Sequence, residues 1–156
     1  MTTDGLTSGN SATSLAAKHE APWYLGVTLK HSGDPNIRNP IRDVTPIFQC
    51  ITLLYKPRPQ PRLEHLKMLI AAGADLNARN GGDITPMMYA VRLNRFDMAY
   101  LMLQAGADPR QKTKWDTTIV YEILESRTDP KSELYRWRAK VIQLLKTKGI
   151  DVEASD

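Results

Sequence analysis

The sequence predicts an all-α solenoid of about four helix-turn-helix units, of which the first and the last are irregular. Two short motifs recur along the chain, and between them apolar residues follow the spacing of amphipathic helices. A single helix pair cannot bury such an apolar face, so the units are expected to stack. The 156 residues suffice for one domain, and a hydrophobic fraction of 42% suffices for a core.

The first motif is a glycine-alanine-aspartate turn. It reads Gly73-Ala74-Asp75-Leu76-Asn77-Ala78 and then Gly106-Ala107-Asp108-Pro109, with the two glycines 33 residues apart. Gly149-Ile150-Asp151-Val152 closes the last unit. Each glycine follows an apolar helical segment, so we expect it to end that helix in the left-handed conformation, and the aspartate to start the next turn.

The second motif is a threonine-proline pair at the start of a helix. It reads Thr45-Pro46-Ile47-Phe48 and Thr85-Pro86-Met87-Met88. Thr118 stands at the corresponding place in the last unit. Threonine can cap the helix, and a proline in the first turn loses no helical hydrogen bond.

The two motifs together resemble the ankyrin family, whose units read Thr-Pro-Leu-His-x-Ala and then Gly-Ala-Asp-x-Asn. The resemblance implies an ankyrin-repeat solenoid at residues 15–154, after a flexible, Ser-, Thr- and Gly-rich tail at residues 1–14. The units are predicted at about 6–38, 39–78, 79–111 and 112–154. Helices are predicted at roughly 46–54, 63–71, 86–93, 96–104, 118–125 and 133–147.

The first unit is dense in apolar residues. With Asp34 as its motif aspartate, Trp23, Tyr24, Leu25 and Leu29 fall on its second helix. Terminal repeats usually need a polar outer face. We therefore expect further sequence upstream, or a cover provided by a partner or by a second copy.

Two units carry insertions between their paired helices, near residues 55–61 and 126–132. Lengthening a surface loop costs little, on the order of 0.6 kcal/mol per doubling, so harmless drift is one interpretation. The other is a prong that contacts a partner. Prolines at alternate positions (Pro57, Pro59 and Pro61) would stiffen the first prong.

No catalytic, cofactor-binding or metal-binding residue is predicted, and we expect a protein that is not an enzyme. None of the three histidines has a Cys, Asp or Glu at ligand spacing on one helical face. Cys50 is expected to be a buried, inert thiol. A net charge of +4 is too small to imply nucleic acid, and no apolar run approaches the roughly 18 residues of a membrane span.

Positive charge concentrates in the middle units, where residues 41–114 carry eleven basic and six acidic residues. The family resemblance implies binding through the turn tips and the exposed face of the first helix of each unit. Trp115, beside Lys112 and Lys114, has the composition of a binding anchor, although a merely solvated basic surface is the alternative. The predicted partner-binding residues are Arg42, Tyr55, Arg58, Arg79, Arg92, Leu93, Arg95, Lys112, Lys114 and Trp115.

Residues 31–40 and 132–138 are similar to segments of small proteobacterial ankyrin proteins, and the likeness covers most of residues 13–154. Some of those proteins are immunity partners of toxins delivered by type VI secretion, including phospholipase effectors. Members usually carry an export signal, which this sequence does not show. The resemblance leaves two hypotheses: a periplasmic inhibitor of a cognate secreted enzyme, or a cytoplasmic scaffold or adaptor without an enzyme target.

Overall fold

The computed structural model describes residues 11–52 and 60–153. Eight α-helices lie in these two ranges, and the β-type pairing found there is a single bridge between Asn39 and Val44. The helices are α1 (Ala12–Lys18), α2 (Pro22–Lys30), α3 (Pro46–Ile51), α4 (Gln60–Ala71), α5 (Pro86–Arg92), α6 (Phe96–Gln104), α7 (Ile119–Glu125) and α8 (Glu133–Thr147). The predicted all-α solenoid is confirmed.

The helices form two parallel rows. The first helices of the units pack in the order α1, α3, α5, α7, and the second helices in the order α2, α4, α6, α8. Between the rows lies one core of apolar side chains contributed by all four units. Each unit thus buries its apolar face against its neighbours, as stacked repeats require.

Equivalent positions in successive first helices show how the stack is closed. Phe48 and Ile51 of α3, and Met88 and Val91 of α5, are almost fully buried. In α7 the last of these positions is Leu124, which is 42% exposed. The described part of the chain therefore ends on a more open stacking face.

The turn motifs act as the sequence predicts. Gly73, Gly106 and Gly149 have φ angles of +88°, +101° and +75°, the left-handed conformation that ends a helix. The Thr85 side chain accepts a hydrogen bond from the backbone N–H of Met88, at 3.3 Å. Thr45 stands at the same place before α3 but makes no such side-chain bond.

A ladder of hydrogen bonds fixes the register between units. Asn36 Oδ1 accepts from the backbone N–H of Asp75 at 2.6 Å, and Asn77 Oδ1 accepts from that of Asp108 at 2.9 Å. The aspartates Asp34 and Asp75 hold these asparagines, because each accepts from the backbone N–H two residues later. The side chain of the motif aspartate therefore stabilises its own turn, and its backbone N–H bonds to the asparagine of the preceding unit.

The third rung uses an arginine. Arg110 stands where the other units have asparagine, and its guanidinium donates to the backbone oxygen of Lys148 at 2.8 Å. Asp108 accepts from the Arg110 backbone N–H and from Gln111, and these bonds lower the pKa of Asp108 below its ordinary value. The stabilisation that Asp108 contributes is thus present near neutral pH and is lost as the pH falls through its lowered pKa.

The first unit begins earlier than the tail boundary that we predicted. The expected tail spans residues 1–14, but α1 starts at Ala12, and Thr13 and Ser14 are buried. Ser11 caps this helix by accepting from the Ser14 backbone N–H at 3.1 Å. The composition of this Ser- and Thr-rich run predicts a flexible segment. In the structure the run supplies a helix cap and small side chains for close packing.

The apolar residues of the first unit divide between core and surface. They lie on α2, as predicted, with Leu25 fully buried and Tyr24 and Leu29 partly buried against the core. Trp23 is 66% exposed. The outer face of this unit therefore keeps exposed apolar side chains, since Val27 on the same helix is also 48% exposed.

The second insertion is an ordered loop followed by a longer helix. Thr128 donates to Asn94 of the preceding unit at 3.2 Å, and Arg138 donates to the backbone oxygen of Ile123 at 3.2 Å. Part of the extra length extends α8 to 15 residues, against nine in α6. Most of the first predicted insertion lies outside the described residues.

Gly106→Ala should destabilise the fold by about 1–2 kcal/mol, the usual cost of a left-handed conformation for an L residue. A Cβ at Gly106 would meet nothing within 4 Å, so the cost is one of conformation alone. Gly81→Ala is the control, since Gly81 has no positive φ. Urea denaturation monitored by circular dichroism measures both; equal midpoints for the two variants would contradict the role of Gly106.

Candidate partner-binding surface

Three turns project from the starts of α3, α5 and α7, at residues 39–44, 80–84 and 113–117; we call them the tip turns. Each is closed by a backbone hydrogen bond from its first residue to its last, for example Asn39 N–H to the Val44 oxygen at 2.9 Å. The side-chain oxygens of Asn39, Asn80 and Thr113 each accept from two backbone N–H groups of their own turn. These internal bonds hold the tip turns in a defined shape.

The equivalence of the tip turns follows from their backbone. Asp43, Asp83 and Asp116 have φ angles of +50°, +56° and +63°, so Arg42, Gly82 and Trp115 occupy one equivalent position. The hydrogen bonds make Asn39, Asn80 and Thr113 equivalent at the start of the three turns. The first tip turn is one residue longer than the other two.

The third tip turn presents an aromatic side chain with a cation beside it. Trp115 is 60% exposed, and the Lys114 ammonium lies 4.5 Å from the centroid of its ring. Lys112 is exposed and pairs with Asp116 at 2.8 Å. Of the predicted residues, these three fit best the role of contacting a partner.

The first tip turn adds a cation and an apolar residue. Arg42 is exposed, and next to it Ile41 is 73% exposed. Burial, and to a lesser degree the charge of Arg42, lowers the pKa of Lys18 on α1. Sequence analysis did not single out Ile41 or Lys18. The pattern that could have identified Ile41 is an apolar residue two positions after Asn39, inside a polar turn.

Arg79 braces two units against each other. Its guanidinium donates to the backbone oxygen of Lys112 at 2.8 Å and also to Gln111. Arg38 makes the same kind of bond one unit earlier, to the backbone oxygen of Arg79. The guanidinium of Arg79 is thus engaged in holding the stack.

Arg92 is likewise engaged. It forms a bidentate ion pair with Glu122 of the next unit, at 2.7 and 2.5 Å, and Glu122 is buried. The hydrogen bond to Glu122 raises the pKa of Arg92 above its ordinary value. Such a charge-assisted pair fixes α7 against α5.

Arg95, a predicted partner-binding residue, lies inside the repeat stack and not on its surface. Arg95 is only 5% exposed and makes a bidentate ion pair with the equally buried Asp97, at 3.0 and 2.9 Å. Leu93 ends α5 and packs partly buried against the core. Tyr55 and Arg58, the two predicted residues of the first insertion, lie outside the described residues.

A comparison with family models identifies the repeat. Residues 47–103 match the model of ankyrin repeats in many copies. This segment is therefore similar to ankyrin repeats. The matched segment runs from α3 to α6; a helix pair lies on either side of it, and the left-handed glycines Gly106 and Gly149 follow it. No curated protein matches the chain.

Metal binding and membrane insertion have no support within residues 11–52 and 60–153. No group of three or more His, Cys, Asp or Glu side chains there is arranged to hold a metal ion. Each helix in those ranges is too short or too polar to span a lipid bilayer. Cys50 is buried, as predicted.

Arg95→Ala should destabilise the protein by about 3–5 kcal/mol, because it leaves the buried Asp97 carboxylate without its partner. The matched control is Arg42→Ala, an exposed arginine whose loss should change stability by no more than about 0.5 kcal/mol. Thermal and urea unfolding of both variants tests this assignment. Similar stability of the two variants would contradict the role of Arg95 in a buried ion pair.

Proposed function

We propose that the chain is a non-catalytic module that binds a partner protein through its tip turns and the adjoining face of the first helices. Ankyrin repeats are generally protein–protein interaction modules, and residues 47–103 match them. One observation carries the assignment to the tips: Trp115 is 60% exposed on a turn that its own hydrogen bonds hold in place.

The physical case rests on preorganisation. An exposed tryptophan offers a large contact area at little cost in side-chain entropy, and such residues often dominate interface energies. The third tip turn is fixed before binding, since Thr113 accepts from the backbone N–H groups of Trp115 and Thr117. Little further order must therefore be imposed when a partner docks.

Exposed cations on the first and third tip turns favour a partner that places acidic groups opposite them. Arg42 and Lys114 are exposed on the first and third tip turns, and Lys18 is close enough to Arg42 for their like charges to interact. Exposed cations of this kind accelerate association and set its salt dependence more than they set affinity. Screening over about 8 Å at physiological ionic strength should weaken their effect.

As a finer proposal, the partner is a secreted effector enzyme, such as a phospholipase delivered by type VI secretion, which the chain neutralises as an immunity protein in the periplasm. This proposal is supported by the similarity of residues 31–40 and 132–138 to small proteobacterial ankyrin proteins. A rigid tip turn could block the enzyme's pocket sterically.

Trp115→Ala should weaken binding of the partner at least tenfold, or about 1.4 kcal/mol, and leave the melting temperature nearly unchanged. Trp23→Ala is the matched control, because Trp23 is 66% exposed but lies on α2. The partner is isolated by affinity capture from the source cells, and the affinities are measured by calorimetry. If the Trp115→Ala variant binds normally, or if it unfolds, the proposal that the third tip turn forms the interface is contradicted.

The immunity role has a separate test. The captured partner, produced alone in the periplasm of a test bacterium, should be toxic, and co-expression of this chain should relieve the toxicity while Trp115→Ala relieves it less. A partner without toxicity or enzymatic activity would favour a scaffold or adaptor and leave the binding surface unchanged.

A further inference from the structure

A cleft of about 350 Å³ opens between the second helices of the last two units, on the opposite row from the first helices. Its lining comes from α6 and α8. The residues are Tyr100, Ala139, Lys140, Gln143, Leu144 and Thr147. The tip-turn surface and this cleft share no residue.

A small residue, Ala139, lines the cleft. The bonds from Ala107 N–H to the Met102 oxygen and from Ile150 N–H to the Leu145 oxygen align α6 with α8. In that alignment Ala139 occupies the position of Phe96, whose ring is fully buried. Ala139, by contrast, is exposed and lines the cleft.

The same alignment reverses a charge. Lys140 stands where α6 has Asp97, and Asp97 is already neutralised by its bidentate pair with Arg95. Lys140 is exposed at the edge of the cleft. α8 as a whole carries four basic residues and one acidic residue, Glu133. The charge offered at this cleft is therefore positive.

The cation at the cleft is held in position. The ammonium of Lys140 lies 4.1 Å from the centroid of the Trp137 ring, and Trp137 packs on Tyr100 with ring centroids 5.5 Å apart. A cation held over an aromatic face loses less freedom when an anion binds it. The cleft thus combines a preformed apolar floor, from Ala139 and Leu144, with a positioned positive charge.

We propose that this cleft is a second docking site, which binds an acidic peptide segment carrying an apolar side chain. The apolar side chain fills the space above Ala139, and a neighbouring carboxylate pairs with Lys140. The occupant follows from charge complementarity together with the apolar lining: a purely acidic ligand would leave the floor of the cleft unfilled, and a basic one would be repelled.

The test uses a displayed library of random peptides selected on the full chain. We expect the selected peptides to combine acidic residues with an apolar one. For one such peptide, fluorescently labelled, Ala139→Phe should reduce affinity at least tenfold by filling the cleft with a bulky side chain, and Lys140→Glu should reduce it by a similar factor. Ala139→Ser, which keeps the cleft open, should bind as the unaltered chain does.

Because Ala139 and Lys140 are both exposed, their variants should keep the melting temperature of the parent chain. Trp115→Ala should bind the same peptide normally, so failure of this proposal is distinguishable from failure of the tip-turn proposal. Selection of peptides without the acidic and apolar pattern would overturn the inference. So would unchanged binding by Ala139→Phe, or Lys140-dependent binding of phosphatidylglycerol vesicles without any peptide binding.

Discussion

Burial of the apolar face that each helix pair presents to the next is the interaction on which this structure depends. Phe48 and Ile51 are covered because a further unit packs on them, and Met88 and Val91 repeat the arrangement one unit later. Stability is therefore shared between neighbouring units and does not belong to any one of them. The hydrogen bonds from Asp75 to Asn36 and from Asp108 to Asn77 are directional, and they fix the register between neighbouring units.

The stack explains why basic residues of similar appearance have different roles. Arg79, Arg92 and Arg95 reach across or into the stack, where backbone oxygens or buried carboxylates accept their hydrogen bonds. Arg42 and Lys114 lie on turns that project beyond it and are exposed. Because the tip turns close on themselves through backbone hydrogen bonds, their outer side chains are not needed for folding, and the surface there can be adapted to a partner without loss of stability.

Local signals in the sequence predicted most of the fold. A glycine that needs a left-handed conformation and a threonine-proline pair at a helix start act within a few residues, so they located the helices closely. Side-chain roles were harder to predict, because they depend on contacts between units. The position of Arg95 in a turn predicts a surface residue, but the structure places it in a buried ion pair with Asp97. The cleft beside Ala139 depends on how α6 and α8 pack, which the sequence does not show.

Hydrogen–deuterium exchange of the chain, alone and saturated with its captured partner, tests the central claim most directly. If the tip turns form the interface, exchange should slow at residues 39–44, 80–84 and 113–117, while the amides of the helix interiors change little. Unchanged exchange at all three turns, with protection confined to other parts of the chain, would contradict the account.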